Sequence, residues 1–254
     1  MPTPLAVYLV RHGESEANLD RSVNAAKADH LVSLSPRGHA QAVEAGVQLG
    51  GILAAAVAAD EAIAAYVSPF RRTRQTWAGM EIGLKQALGR VPMAMVRESI
   101  YLRELEFGLF DGIPDDDLPK IFPNEYAHYE KLKRAGGEYY ARMPCGESRC
   151  DVAQRVHQGF GSIHRDFEKH NIRHAVVVSH GVTTRAFTMM WLGLTPEWME
   201  AEPNPLNCSI RLLKEGKDYG YVHNGRRGHN PARDRREDGV IDAHGGPVPN
   251  RLGG

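Results

Sequence analysis

Apolar residues fall into short unbroken runs at three places in the chain, and each run ends abruptly in polar chemistry. Leu5 to Val10 ends in Arg11-His12-Gly13-Glu14. Ile63 to Val67 ends in Ser68-Pro69-Phe70-Arg71-Arg72. Ala175 to Val178 ends in Ser179-His180-Gly181. Runs of four to six residues rich in Val, Ala, Leu and Tyr, with no polar alternation, predict strands buried on both faces. Each is followed by a polar turn or a stretch of helical spacing. In open α/β sheets ligands bind at the carboxyl ends of the strands. Three such ends would bring two imidazoles and more than one guanidinium to a single crevice.

The intervening pattern supplies helices. Ser35-Pro36 places a capping hydroxyl before proline at the first helical position, and an Ala-rich helix is expected from there to about Val57, weakened where Gly50-Gly51 interrupts it. A second helix is expected from about Arg71 to Leu88. Ser148 with Asp151 forms a loose capping box ahead of Val152, Val156, Phe160, Ile163 and Phe167, which recur at helical spacing. Further helices are expected from about Thr183 to Leu192 and from Thr195-Pro196. Pro92 to Val96 predicts another strand, and Asn207 to Leu213 with Tyr219 to Val222 a hairpin. Leu19 to Val32 carries no clear period and reads as irregular, and Tyr101 to Gly112 as a loop folding back on the sheet.

Composition narrows the picture. The chain has 254 residues, 42% of them hydrophobic, and a formal net charge of zero. That suits one large α/β domain and leaves no global field favouring nucleic acid or a membrane surface. Cys145, Cys150 and Cys208 show no C-x-x-C spacing, so neither a zinc site nor a redox pair is indicated. The N-terminus lacks a basic leader, and its apolar run is too short for a signal or a membrane span, so a soluble cytoplasmic protein is expected. From Ile113 to Gly146 the composition shifts to Pro, acids, Tyr and Lys, with short helices expected near Asp115 to Ile121 and Glu125 to Arg134; this reads as a lid insertion spanning about 108–146. Residues 224–254 hold almost no large apolar side chain and are expected to be a disordered tail. Its six arginines against four acids are too weak an excess for a nucleic-acid arm.

Imidazoles and arginines at strand ends suit covalent phosphoryl transfer. A neutral imidazole is a competent nucleophile, guanidinium forks match phosphoryl oxygens, and a carboxyl group is needed to protonate the leaving oxygen. Glu104, Glu106 and Asp111 are the candidates for that acid. No H-E-x-x-H, phosphate-binding Walker loop or G-x-G-x-x-G occurs, so no metal or cofactor is called for.

These residues resemble the signature of the histidine phosphatase superfamily, the phosphoglycerate mutase-like proteins. The matching segments are Arg11-His12-Gly13-Glu14-Ser15 with Asn18, Ser68-Pro69-Phe70-Arg71-Arg72-Thr73-Arg74-Gln75-Thr76, Leu102-Arg103-Glu104-Leu105-Glu106-Phe107-Gly108, and Val178-Ser179-His180-Gly181. Leu34-Ser35 with Gly38, Gly146-Glu147-Ser148 and Asn207-Cys208-Ser209-Ile210 are similar to supporting stretches of that family. The resemblance spans about residues 5–222. It implies a three-layer α/β/α sandwich with a mostly parallel central sheet and a small helical lid insertion, in a domain of residues 1–223.

It further implies that His12 is the transiently phosphorylated nucleophile and that Glu104 is the proton donor. Arg11, Arg72 and His180 would hold the phosphoryl group, with Asn18, Ser15 and Gly181 contributing to substrate binding. Glu106 and Asp111 are then expected to be solvated or ion-paired, Arg71 and Arg74 to be surface cations, and His39, His157 and His164 to be surface or boundary residues. Tyr101, Tyr129, Tyr139 and Tyr140 either line the pocket or pack. The expected activity is hydrolysis of a small phosphate ester, without metal, through a phosphohistidine. The alternatives are a cofactor-dependent phosphoglycerate mutase and a non-catalytic module that binds a phosphorylated ligand. The insertion lacks the paired-arginine, proline-rich segment that a glycolytic mutase's insertion resembles, which favours the broad phosphatase branch. A homodimer is compatible with the sequence but not required by it.

Overall fold

The computed structural model describes residues 6–225. Six strands form one sheet: β1 (Ala6–Arg11), β2 (Ala62–Val67), β3 (Met93–Glu98), β4 (Ile172–Ser179), β5 (Ile210–Lys214) and β6 (Lys217–His223). Nine α-helices accompany them among the described residues: α1 (Glu16–Leu19), α2 (Val23–Ala26), α3 (Pro36–Ala58), α4 (Arg71–Leu88), α5 (Leu118–Ile121), α6 (Pro123–Gly136), α7 (Arg149–His170), α8 (Gly181–Leu192) and α9 (Pro196–Ala201). The strand order is β3-β2-β4-β1-β5-β6. The first four strands run parallel, β5 pairs antiparallel with β1, and β6 pairs antiparallel with β5. The sheet is thus mostly parallel with a hairpin at one edge. That hairpin closes through Glu215 and Gly216, both at positive φ (53° and 70°), a two-residue turn whose twist suits the flanking strands.

Burial on both faces explains the unbroken apolar runs. Along β1, Val7 and Leu9 join the core under α7 and α8, while Ala6, Tyr8 and Val10 join the core under α3 and α4. Alternate residues therefore serve opposite layers, and no position is left for a polar side chain. β3, at the sheet edge, alternates between half-buried and exposed over its first half.

Gly50-Gly51 does not weaken α3 as expected. The helix continues through both because α3 and α4 pack closely at small residues: a Cβ on Gly50 would come within 2.5 Å of the Ala87 Cβ, and one on Gly46 within 2.2 Å of the Met80 carbonyl oxygen. Interhelical contact outweighs the glycine penalty of about 1 kcal/mol. α3 is also long and apolar enough to cross a membrane by composition. Here its apolar side, including Ala42, Ala45, Leu49 and Leu53, is buried in the core.

The stretch 19–32 holds short helical turns, α2 and a 3-10 turn at Asp29–Leu31. The strand expected from Asn207 begins at Ile210, because residues 207–209 form a turn with Cys208 at φ 59°. The insertion carries α5 and α6 over a small core of Phe110, Leu118, Tyr129 and Ala141. Apart from its first two residues, the expected tail at 224–254 lies outside the described residues.

Candidate active site

The strand ends do converge. β1 delivers Arg11 and His12, β2 delivers Ser68 with Arg72 one helical turn on, and β4 delivers Ser179 and His180. The parallel register pairs Arg11 with Ser179, so His12 and His180 leave adjacent strands side by side. Their ring centroids are 5.3 Å apart.

The chain after β1 must turn sharply, and it does so against the start of α3. A Cβ on Gly38 would lie 2.0 Å from the Glu14 carbonyl oxygen, and one on Gly13 2.6 Å from the Gly38 carbonyl oxygen. Only glycine permits this double approach. The turn is then held by side chains. The Gly13 amide donates to Thr76 Oγ1 (3.0 Å), the Glu14 amide to Gln41 Oε1 (2.8 Å), and Ser35 Oγ to Glu14 Oε1 (2.7 Å). Ser15 caps α1 in a reciprocal box with Asn18. Asn207 Nδ2 donates to both the His12 carbonyl (3.1 Å) and Asn18 Oδ1 (3.2 Å).

His12 is 4% exposed. Its Nδ1 lies 2.7 Å from the Gly13 carbonyl oxygen, which can only accept, so Nδ1 carries the proton and the lone pair sits on Nε2. Burial first, then the Arg72 and Arg11 cations, push its pKa well below the usual imidazole value, and the ring is neutral near pH 7. His180 is fully buried and shifts the same way, chiefly through burial and then Arg72. Its Nε2 meets Ser68 Oγ at 2.8 Å, while its buried Nδ1 has no hydrogen-bond partner. His180 also caps α8, so the positive end of that helix faces the site.

Arg72 is only 5% exposed, and Asp29 holds it on one edge. Nη1 donates to Asp29 Oδ1 and to the Asp29 carbonyl (both 2.7 Å), and Nη2 donates to Asp29 Oδ2 (3.1 Å). The Nε–Nη2 edge is the one left to fork onto a phosphoryl group. The guanidinium lies 5.1 Å from the Phe70 ring centroid. Arg11 Nη1 donates to the Pro205 carbonyl.

Glu104 sits half-buried in the cavity wall. Its Oε1 accepts from the Leu105 amide (3.0 Å), and Thr183 Oγ1 lies 3.4 Å away. Burial raises its pKa above the ordinary carboxyl value, with Arg72 and Arg11 opposing. Its backbone is clamped from α7: Arg155 donates to the Tyr101 carbonyl (2.8 Å) and the Glu104 carbonyl (3.0 Å). Arg155 is itself fixed by both oxygens of Glu147 (2.8 and 3.0 Å), which also accepts from Arg103 (2.8 Å).

Arg11, His12, Ser15, Asn18, Arg72 and Glu104 line a cavity of about 690 Å³ roofed by the insertion, while His180, with no exposed surface, lies behind His12 outside that lining. Gly181 lies outside its lining, against Asn204, where a Cβ would come within 2.2 Å of Asn204 Oδ1. Of the four tyrosines singled out, only Tyr129 lines the cavity. Tyr139 and Tyr140 pack on each other, and Tyr101 packs under Gly159. Tyr126, unremarked in the sequence, lines it as well.

Asp111 is not simply solvated or ion-paired: it lies in the cavity wall and accepts from Asn24 Nδ2 (3.1 Å). Burial, then the Asp29 charge, raises its pKa. Glu106 pairs with Arg103 (3.0 Å) and Arg74 with Glu98 (2.6 Å), both near the surface as expected. His164 is a boundary residue stacked on Trp191. No group of three or more His, Cys, Asp or Glu placed to hold a metal occurs among the described residues.

Asp29, Arg155 and Asn24 escaped the sequence reading. Asp29 lies in the aperiodic stretch 19–32. Arg155 is hidden among helical positions, although Glu147, its partner, falls in a segment that the resemblance picked out.

The arrangement offers a neutral imidazole nucleophile, guanidinium forks for equatorial oxygens, a second imidazole and, at the cavity wall, a carboxyl group whose pKa burial raises. The sequence profile of the histidine phosphatase superfamily (branch 1) matches residues 7–224. The chain is 34% identical over 226 residues to phosphoglycerate mutase-like protein AT74 of Arabidopsis thaliana, covering 86% of this chain and 67% of that one. It is 26% identical over 285 residues to the broad-range acid phosphatase DET1 of Saccharomyces cerevisiae, covering 83% and 85%. Among solved structures, mycobacterial glucosyl-3-phosphoglycerate phosphatase superposes with a TM-score of 0.60 at 21% identity, covering 88% and 99%, which establishes likeness of fold.

Proposed function

The chain belongs to the histidine phosphatase superfamily (branch 1), and from that premise we propose that it is a metal-independent phosphomonoesterase working through a phosphohistidine on a small phosphorylated metabolite. The observation that carries the reading is the state of His12: buried, kept neutral by burial and two arginines, its Nδ1 proton tied to the Gly13 carbonyl and its Nε2 lone pair available.

In the first step Nε2 attacks phosphorus, the P–N bond forms and the ester P–O bond breaks. Glu104, whose pKa burial raises, gives its proton to the leaving oxygen. Arg11 and the open edge of Arg72 neutralise the phosphoryl oxygens as charge shifts onto them, and the unpartnered Nδ1 of His180 can donate to one of them when it carries a proton. In the second step water attacks phosphorus, Glu104 takes its proton, the P–N bond breaks and His12 returns to the neutral ring. Two guanidiniums and a helix N-terminus supply the positive charge that such a reaction needs. The name of the yeast relative, a broad-range acid phosphatase, supports hydrolysis over interconversion.

The test is release of phosphate from p-nitrophenyl phosphate in excess chelator. Wild-type protein is expected to hydrolyse it, and His12→Ala to lose about four or more orders of magnitude in kcat. Hydrolysis that disappears with chelator, or that survives in His12→Ala, would overturn the reading.

A further inference from the structure

The catalytic floor accounts for only part of the 690 Å³ cavity. A phosphoryl group occupies the floor; the rest is available to the leaving group, and its walls differ in kind. Phe107, Phe110, Tyr126 and Tyr129 supply ring surface. Asp111, Asp115, Glu130 and Glu138 supply carboxylates, against only Arg21 and Lys133 as cations in that outer part of the lining. Both cations already face acids: Arg21 lies 3.4 Å from Asp115 and Lys133 3.9 Å from Glu130, while Glu138 is paired with Arg149 from behind the wall (2.8 Å). The Asn24 side-chain oxygen is buried with no hydrogen-bond partner, and its amide nitrogen is spent on Asp111. The mouth therefore presents ring faces and hydrogen-bond acceptors.

We propose that this outer cavity selects phosphomonoesters whose leaving group is a large, ring-bearing alcohol with hydrogen-bond donors and no second anionic group, the chemistry of a nucleoside or an unmodified sugar. The inference rests on the phosphomonoesterase reading and specifies the substrate side of the same site. A leaving group with its own carboxylate, such as phosphoglycerate, would meet no cation in the outer lining that an acid does not already hold, and would lie beside Asp111 without a counter-ion. The missing partner discriminates against it. A hydroxylated ring instead satisfies the Asn24 oxygen and Asp111 and stacks on the aromatic wall.

The experiment compares kcat/KM for adenosine 5′-monophosphate and 3-phosphoglycerate, with p-nitrophenyl phosphate alongside. The expected preference for the nucleotide is about 100-fold or more. Glu130→Lys and, separately, the isosteric Asp111→Asn are each expected to shift that ratio about tenfold toward 3-phosphoglycerate. Two results would overturn the inference while leaving the hydrolytic reading intact: p-nitrophenyl phosphate hydrolysed with 3-phosphoglycerate turned over as well as the nucleotide, or a ratio that neither variant moves. Failure on p-nitrophenyl phosphate as well would instead remove the phosphomonoesterase reading on which the inference stands.

Discussion

The floor of the cavity and its roof are built by opposite strategies. On the floor, His12, Arg72 and His180 follow the ends of buried strands and are held by several partners. His12 is fixed at its backbone by Ser179 and Asn207 and at its ring by Gly13; Ser68, Thr76 and His180 have no exposed surface. The roof, by contrast, stands on a core of four buried residues, Phe110, Leu118, Tyr129 and Ala141, with exposed acids and lysines around it. Chemistry that tolerates little displacement is placed where the most interactions determine position. Recognition of the leaving group is left to a segment that can change without disturbing the sheet.

The sharpest way to break this contrast is at Glu104, where floor meets roof. Glu104→Gln is expected to lower kcat by about two to four orders of magnitude for alkyl phosphates, whose leaving group needs the proton, and by much less for p-nitrophenyl phosphate. The pH profile tests the same group. His12 must be unprotonated, and its pKa lies well below the usual imidazole value; Glu104 must be protonated, and its pKa lies above the usual carboxyl value. The kcat/KM of the wild type should therefore be highest in the mildly acidic range, falling at the acid side as His12 protonates and at the alkaline side as Glu104 ionises. Glu104→Gln should remove the alkaline limb.

A smaller effect is expected at Asp29, which orients Arg72 and offsets its charge at once. Asp29→Asn keeps the shape and removes the charge. kcat is expected to fall about tenfold as Arg72 loses its fixed edge, while inorganic phosphate inhibits about threefold more strongly because the guanidinium charge is no longer offset. A parallel loss of phosphate binding would show that Asp29 only supports the fold.

The smallest effect on catalysis, and the most direct comparison of the two regions, comes from hydrogen exchange. Amides of α6 are expected to exchange faster than those of β1 and β4, and Phe110→Ala to widen that gap while leaving the strands protected. Equal acceleration in both regions would mean that floor and roof form one cooperative unit.

What could be read in the sequence divides along the same line. The strand ends announce themselves because burial on both faces forces unbroken apolar runs, and an Arg-His or a Ser-His at the end of such a run has no reason to be there for packing. His12 and His180 are found that way; Arg72 and Glu104 are singled out only by the resemblance to the family, and the fold brings all four together. Asp29 and Arg155 are not legible by that route. Asp29 acts on a residue 43 positions away, and Arg155 on a carbonyl 51 positions away. Neither partner leaves a periodic trace. Gly50 misled for a related reason, since its fitness for a helix depends on Ala87 of a neighbouring helix. Among the tyrosines, side-chain type alone could not separate Tyr129, which lines the cavity, from Tyr139, which packs beside Tyr140.

The central claim is that His12 becomes covalently phosphorylated. Rapid acid-free quenching of the enzyme during turnover of a phosphate ester labelled with radioactive phosphorus, followed by peptide mapping, tests it directly. The account predicts a labelled phosphoramidate, stable in alkali and labile in acid, on the peptide containing His12, and none in His12→Ala. Turnover at full rate with no label on that peptide at any quench time would contradict it and point to direct attack by water.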